Sequence, residues 1–270
     1  MKSSDASFGG AVPKIYEARL VPLLFAPYAA DLAARAARLE PAALLELAAG
    51  TGVLTRELAV RLPARASIIA SDLNPPMLEE AAARGTARPV EWRPADAMSL
   101  PFGDASFDAV VCQFGVMFFP DRSRAFAEAR RVLRSDGALV FNTWNGIADN
   151  ELAECVQHAL AAVFPEDPPR FMERTPHGYH DPERIARDLA DGGFARPPRI
   201  ERLALRSRAA SARDVALAFC HGTPLREEIA SRDPAGLDAA TAAAERAVAG
   251  RFGAGPVDAK MQAWVVEVER

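Results

Sequence analysis

The stretch LLELAAGTGVLTREL, residues 44–58, decides the fold. An apolar run ends in two glycines, Gly50 and Gly52, and is followed at once by helical spacing. A strand that turns sharply into a helix needs residues free of Cβ clashes, which glycine supplies. The start of that helix presents unpaired N–H groups that attract a ligand's acceptor atoms. The next strand-like run, SIIASD, closes on Asp72, a little over twenty residues beyond the turn. In a doubly wound sheet that carboxylate lies beside a ribose and can accept its hydroxyl hydrogens. The spacing suits a ribose-containing cofactor without saying which. A dinucleotide fingerprint would place a third small residue where Thr55 stands, and a glycine turn with no ligand is the third possibility.

Outward from the turn, strand-like runs alternate with helical ones. The strands are expected at 43–48, 67–72, 90–94, 107–114 and 137–144, with helices at 52–61, 75–84 and 122–134 between them. Asn74 before Pro75-Pro76 reads as a helix start, and Asp136-Gly137 as the turn into the fifth strand. Repeated β–α alternation implies a mostly parallel sheet with helices on both faces. After Trp144 the alternation loosens. Helices are expected at 150–163 and 182–190, the latter stopped by Gly192-Gly193. The Ala-rich 211–250 reads as helices, and strands are expected at 199–207 and 258–269. Pro22 and Pro27 divide the apolar 15–39 into two or three short helices, and residues 1–10 are expected to be mobile.

The totals exclude several classes. The chain has 270 residues, half of them apolar and a quarter charged, as in ordinary globular enzymes. A formal net charge of −4 gives no basic footprint for a nucleic acid. No apolar run reaches about 18 residues, so no membrane span is expected, and the N-terminus lacks the layout of a signal peptide. Three widely spaced cysteines argue for a reducing, cytoplasmic setting and against a thiolate metal site.

Four segments in order, LELAAGTGVLTREL, IIASDLNPPML, WRPADAMSLPFGDASFDAVVCQFGVMFFPD and EARRVLRSDGALVFNTW, resemble the class I S-adenosylmethionine-dependent methyltransferases. They are most similar to the branch of the ubiquinone and menaquinone C-methyltransferases. The resemblance covers residues 40–145 and extends, less specifically, over 8–39. It implies a doubly wound, seven-stranded, mostly parallel Rossmann-like sheet. It also implies one domain: an N-terminal helical lid (1–39), a cofactor-binding core (40–145), and substrate-side helices with the last strands (146–270).

The family's acidic-x-Gly-x-Gly-x-Gly motif falls on Glu46, Ala48, Gly50 and Gly52, with Ala48 replacing the first glycine at the cost of one methyl group. By resemblance, Gly50 contacts the methionine portion and Asp72 the ribose, while Leu73 and Met77 flank the adenine. Asp96 and the Ala97 N–H meet the adenine edge, Gln113 and Phe114 border the methyl group, and Tyr16 lies near the cofactor. S-Adenosylmethionine carries no phosphate, and no basic residue stands between Glu46 and Leu54.

Four side chains are candidates for acid–base work on an acceptor: His177, Tyr179 and His180 in RTPHGYHDPERI, and His221 in FCHGTPL. The first three equally suit a loop capping the helix that Asp181-Pro182 starts, and His221 a helix end. His177 and His180 lack a third ligand at a recognised spacing, so no metal is expected. The expected partner is a small, largely apolar or aromatic methyl acceptor, taken by a monomer or homodimer. An NAD(P)-dependent oxidoreductase and a non-catalytic cofactor-binding protein are the alternatives.

Overall fold

A computed structural model of the chain describes residues 12–253 and 255–270. The expected mobile segment 1–10, and residues 8–11 of the N-terminal resemblance, lie outside the described residues. The elements run α1 (Val12–Ile15), a π-helical stretch (Tyr16–Phe25), α2 (Ala26–Arg38), β1 (Ala43–Leu47), α3 (Val53–Arg61), β2 (Ser67–Asp72), α4 (Pro75–Arg84) and β3 (Glu91–Pro94). They continue with β4 (Phe107–Gln113), α5 (Arg122–Val132), β5 (Leu133–Trp144), α6 (Glu151–Val163), α7 (Phe171–Arg174), α8 (Pro182–Asp191) and β6 (Arg199–Ala209). The last are α9 (Ala212–Gly222), α10 (Leu225–Arg232), α11 (Leu237–Phe252) and β7 (Val257–Glu269).

The seven strands form one sheet in the order β3-β2-β1-β4-β5-β7-β6. Neighbours are parallel from β3 to β5, and β7 is antiparallel to both β5 and β6. β1 is apolar apart from Glu46 because both of its faces are covered. On one side Ala29, Leu32, Ala33 and Ala36 of α2 and Leu54 and Leu58 of α3 pack on Leu44, Ile68 and Val111. On the other, Phe126 and Ala129 of α5 and Ile185 and Leu189 of α8 pack on Leu45, Val110 and Phe141. A second core joins α6, α7 and α9 to α11.

Two expectations fail at proline and glycine. The segment from Val12 to Arg38 is helical without a break, because the wider π stretch accommodates Pro22 and Pro27 falls in the first turn of α2. By length and composition this helix is apolar enough to cross a bilayer, yet half of its most apolar window is buried within the fold. Asp136-Gly137 lies inside β5, where the pairing with β4 shifts register, rather than ahead of it. Asn74 sits at the N-cap of α4 without a side-chain capping bond, its amide instead turned to Asp72.

Candidate functional site

The strand order reverses direction between β1 and β4, and ligands of open α/β sheets sit at such a switch, beyond the carboxyl ends of the strands. A cavity of about 300 Å³ opens there. Its walls come from four strand ends: Ala48 and Gly50 after β1, Asp72, Leu73 and Asn74 at β2, Asp96 and Ala97 after β3, and Gln113 to Gly115 at β4. Tyr16, Met77 and Phe118 are among the others that line it, and Leu73 stands exposed at its edge.

The turn after β1 holds three left-handed residues: Ala48 (φ 52°), Gly50 (φ 57°) and Gly52 (φ 80°). Ala48 therefore costs more than a methyl group of space, since a side chain in this region is strained by roughly 1–2 kcal/mol. Its methyl also packs against Gly115, where an added Cβ would come within 2.5 Å of it. Asp72 clasps the turn: one oxygen accepts from the Gly50 N–H (2.9 Å) and the other from the Asn74 N–H (2.8 Å). Burial raises the Asp72 pKa, against the pull of these N–H groups.

Glu46 and Gly52, though in the same motif, do not line the cavity. The Glu46 carboxyl is buried behind the turn and accepts from the Thr55 hydroxyl at 2.6 Å. Burial pushes its pKa up to about 8, with the Thr55 bond opposing. Thr55 is thus the anchor of that carboxyl. Gly52 faces α4 and β3 instead, where a Cβ would meet Trp92 at 2.9 Å and Ala81 at 3.1 Å.

Phe114 also adopts a left-handed backbone (φ 49°), unusual for a bulky residue. Its N–H donates to the Asn142 side chain (2.9 Å), and its ring stacks on Trp144 at 3.9 Å between centroids. Gln113 donates to the Phe25 carbonyl (2.9 Å), while its Oε1 is buried with no hydrogen-bond partner among the described residues. Asp96 accepts from the Met98 N–H through one oxygen.

A second, mainly apolar chamber of about 90 Å³ adjoins the first, and Tyr16, Phe114 and Phe118 line both. Its other walls include Leu20, Phe25, Trp144, Phe171, Phe219 and Met261. The π-helical stretch spans the two, Tyr16 stacking on Phe25 at 5.0 Å. Burial and the nearby Asp72 raise the Tyr16 pKa. The adjacent Glu17, buried, accepts from the Thr51 hydroxyl and pairs with Arg56 (2.7 Å) and Arg84 (3.6 Å), tying the helix to the glycine turn.

Of the four acid–base candidates, the structure brings only His177 to the chamber. Its Nδ1 lies 2.8 Å from the Asn145 carbonyl, which fixes the proton on Nδ1 and leaves a lone pair on Nε2. Burial lowers its pKa to about 4, outweighing the carbonyl's opposite pull. Tyr179 is buried on the α5–α8 side, with Arg122 4.3 Å and Arg184 5.7 Å from its ring centroid. His180 is exposed and its Nδ1 meets the His177 carbonyl, while His221 bonds Thr241 between α9 and α11. Among the described residues no group of three or more metal-ligating side chains occurs.

Sequence reasoning places VMFFPD (116–121) on a wall of the substrate pocket, and Phe118 of that segment lines both cavities; it missed Glu17, Asn142 and Trp144. A buried acid on an apolar helix is the one mark that singles out Glu17, and the other two emerge only from packing.

Comparisons with known proteins bear on the family and the fold. A model of the methyltransferase domain matches residues 45–141. The demethylmenaquinone methyltransferase of Deinococcus radiodurans is 32% identical over 173 residues, 60% of this chain and 71% of that protein. The chain belongs to the class I S-adenosylmethionine-dependent methyltransferases. Within this family, the demethylmenaquinone methyltransferase of Thermus thermophilus is 44% identical over 114 residues, 42% of this chain and half the length of that relative. The solved YcgJ protein of Bacillus subtilis is similar in fold, with a TM-score of 0.56 at 18% identity over 90% of this chain and 99% of that one.

Proposed function

We propose that the chain transfers a methyl group from S-adenosylmethionine to an oxygen of a small aromatic acceptor. The observation that carries this reading is the shared wall: Tyr16, Phe114 and Phe118 separate a cleft bearing carboxylates from an apolar chamber. The cleft suits the cofactor's chemistry. No Lys, Arg or His lines it among the described residues, so a dinucleotide's phosphates would face Asp72 and Asp96 uncompensated. Asp72 would accept from the ribose hydroxyls, Asp96 from the adenine amino group, and the unpartnered Gln113 Oε1 from the cofactor's ammonium. Leu73 and Met77 would flank the adenine.

When bound, S-adenosylmethionine supplies a methyl carbon on a positively charged sulfur, which leaves as a neutral thioether. The chain's own part is alignment and dryness. The aromatic wall excludes water and presents π faces that tolerate the positive charge. His177 Nε2 would take the acceptor's hydroxyl proton. A base whose pKa is about 4 is weak, but it stands unprotonated at neutral pH, and the hydroxyl becomes strongly acidic once its oxygen starts to bond to carbon. A cytoplasmic location belongs to this reading, supported by three buried, unpaired cysteines.

The test is mass spectrometry of reactions holding S-adenosylmethionine and a panel of one-ring phenols. The expected result is a methyl ether and S-adenosylhomocysteine in equal amounts, falling about 100-fold in rate for His177→Ala. Cofactor binding without transfer to any acceptor would favour the non-catalytic alternative.

A further inference from the structure

One buried charge stands beside the junction of the two cavities and has no part in the methyl transfer itself. Glu17 is 7% exposed, on a helical stretch whose other buried residues, Leu20, Val21 and Leu23, are apolar. Its two oxygens reach different partners: one accepts from the Thr51 hydroxyl, the other from Arg56 Nη2 at 2.7 Å. Arg56 Nη1 donates in turn to the Thr51 carbonyl at 2.7 Å, so the three residues close a ring of hydrogen bonds. Arg84 of α4 lies 3.6 Å from the oxygen that Arg56 holds.

Thr51 is the buried residue between the left-handed Gly50 and Gly52, at the tip of the turn after β1. Asp72 holds that turn from the cleft side, through the Gly50 N–H, and Glu17 holds it from the helix side, through Thr51. The residue before Glu17 is Tyr16, which lines both cavities, and Leu20, Leu24 and Phe25 of the same stretch line the chamber. Apolar packing has no direction of its own, and by itself it would let this helix slide slightly against its neighbours. Hydrogen bonds to a carboxylate are short and directional, and a closed ring of them sets both place and orientation.

From this arrangement we infer that Glu17 is a positioning residue: it registers the helix on the glycine turn and so fixes Tyr16 where the cofactor cleft meets the chamber. The inference rests on the cleft being the S-adenosylmethionine site of the proposed methyltransferase. Glu17 is not among the residues lining either cavity, so its effect on the ligand passes through Tyr16. Methyl transfer is an in-line displacement, and a small misplacement of the groups around the reacting carbon is costly. A shift of this helix would move Tyr16 against the cofactor and the chamber wall against the donor methyl in a single motion.

The experiment is isothermal titration of S-adenosylhomocysteine into the wild type, Glu17→Gln, Tyr16→Leu and the double variant, each checked for folding by circular dichroism. Glu17→Gln keeps the size of the side chain without its charge, and is expected to weaken binding about tenfold, the scale of one charge-assisted bond. Tyr16→Leu alone is expected to weaken binding severalfold. In that background Glu17→Gln is expected to cost less than about twofold more, because the ring it positions is gone. A merely structural Glu17 would weaken binding equally in both backgrounds. Thr51→Val, which removes only the hydroxyl, takes the place of Glu17→Gln in the cycle if that variant does not fold, and Thr51→Ser is expected to keep most of the affinity. Equal weakening in both backgrounds, full affinity in Glu17→Gln or in Tyr16→Leu, or a Thr51→Ser as weak as Thr51→Val would overturn the inference. Failure of S-adenosylhomocysteine to bind the wild type would instead remove the methyltransferase reading beneath it.

Discussion

Glu46 offers a test that needs no ligand. Its carboxyl is 1% exposed, bonded to Thr55, and has a pKa raised to about 8 from an ordinary 4.5. An acid whose folded-state pKa is raised binds its proton more tightly when folded. The stabilisation is fully present below pH 4.5 and is lost as pH climbs towards 8. At about 1.4 kcal/mol per unit of pKa, the wild type should lose about 3 kcal/mol from this group between pH 5 and pH 7.5. Glu46→Gln keeps the shape of the neutral acid and removes the titration. Other titrating groups are common to both proteins, so the difference between them isolates Glu46. The assay is urea unfolding followed by tryptophan fluorescence at half-unit steps of pH. The variant is expected to gain about 3 kcal/mol on the wild type across that range. A difference that stays constant within about 0.5 kcal/mol would show that Glu46 is ionised in the folded protein and refute the reasoning.

Three further outcomes are expected. Gly52→Val should cost about 3 kcal/mol or more in unfolding free energy, because it forces a branched residue to φ 80° against Trp92 and Ala81; a near-normal melting temperature would contradict this. Gly115→Ala should destabilise by about 2 kcal/mol, partly recovered in an Ala48→Gly background since the two methyls would collide; strict additivity in the double-mutant cycle would count against the packing described. With His177 unprotonated down to about pH 4, kcat/KM should show no protonation limb near pH 6.5, whereas a limb there that His177→Asn removes would show an ordinary histidine pKa.

The sequence carried the parts of this molecule that local chemistry dictates. The apolar run at β1, the glycines at left-handed positions, Asp72 closing β2, and Asp181 capping α8 through the Glu183 N–H all follow from backbone rules and were legible. Pro22 misled because its cost is reckoned against an α-helix, and the π stretch spaces the turns differently. The short α7 left no periodic pattern to read. The motif residues divided on tertiary grounds alone: Gly50 and Asp72 face the cleft, while Glu46 and Gly52 look inward to α3 and α4. Likewise His177, Tyr179 and His180 are neighbours in a loop, and only the fold decides that the first meets the chamber.

The central claim is that the crevice between the ends of β1, β2 and β4 receives a phosphate-free adenosyl ligand. Titration calorimetry with S-adenosylhomocysteine tests it most directly, in the wild type and in a folded Asp72→Ala variant. The account expects one-to-one binding that weakens at least tenfold in the variant. No heat of binding to the wild type, or equal affinity in both proteins, would contradict it.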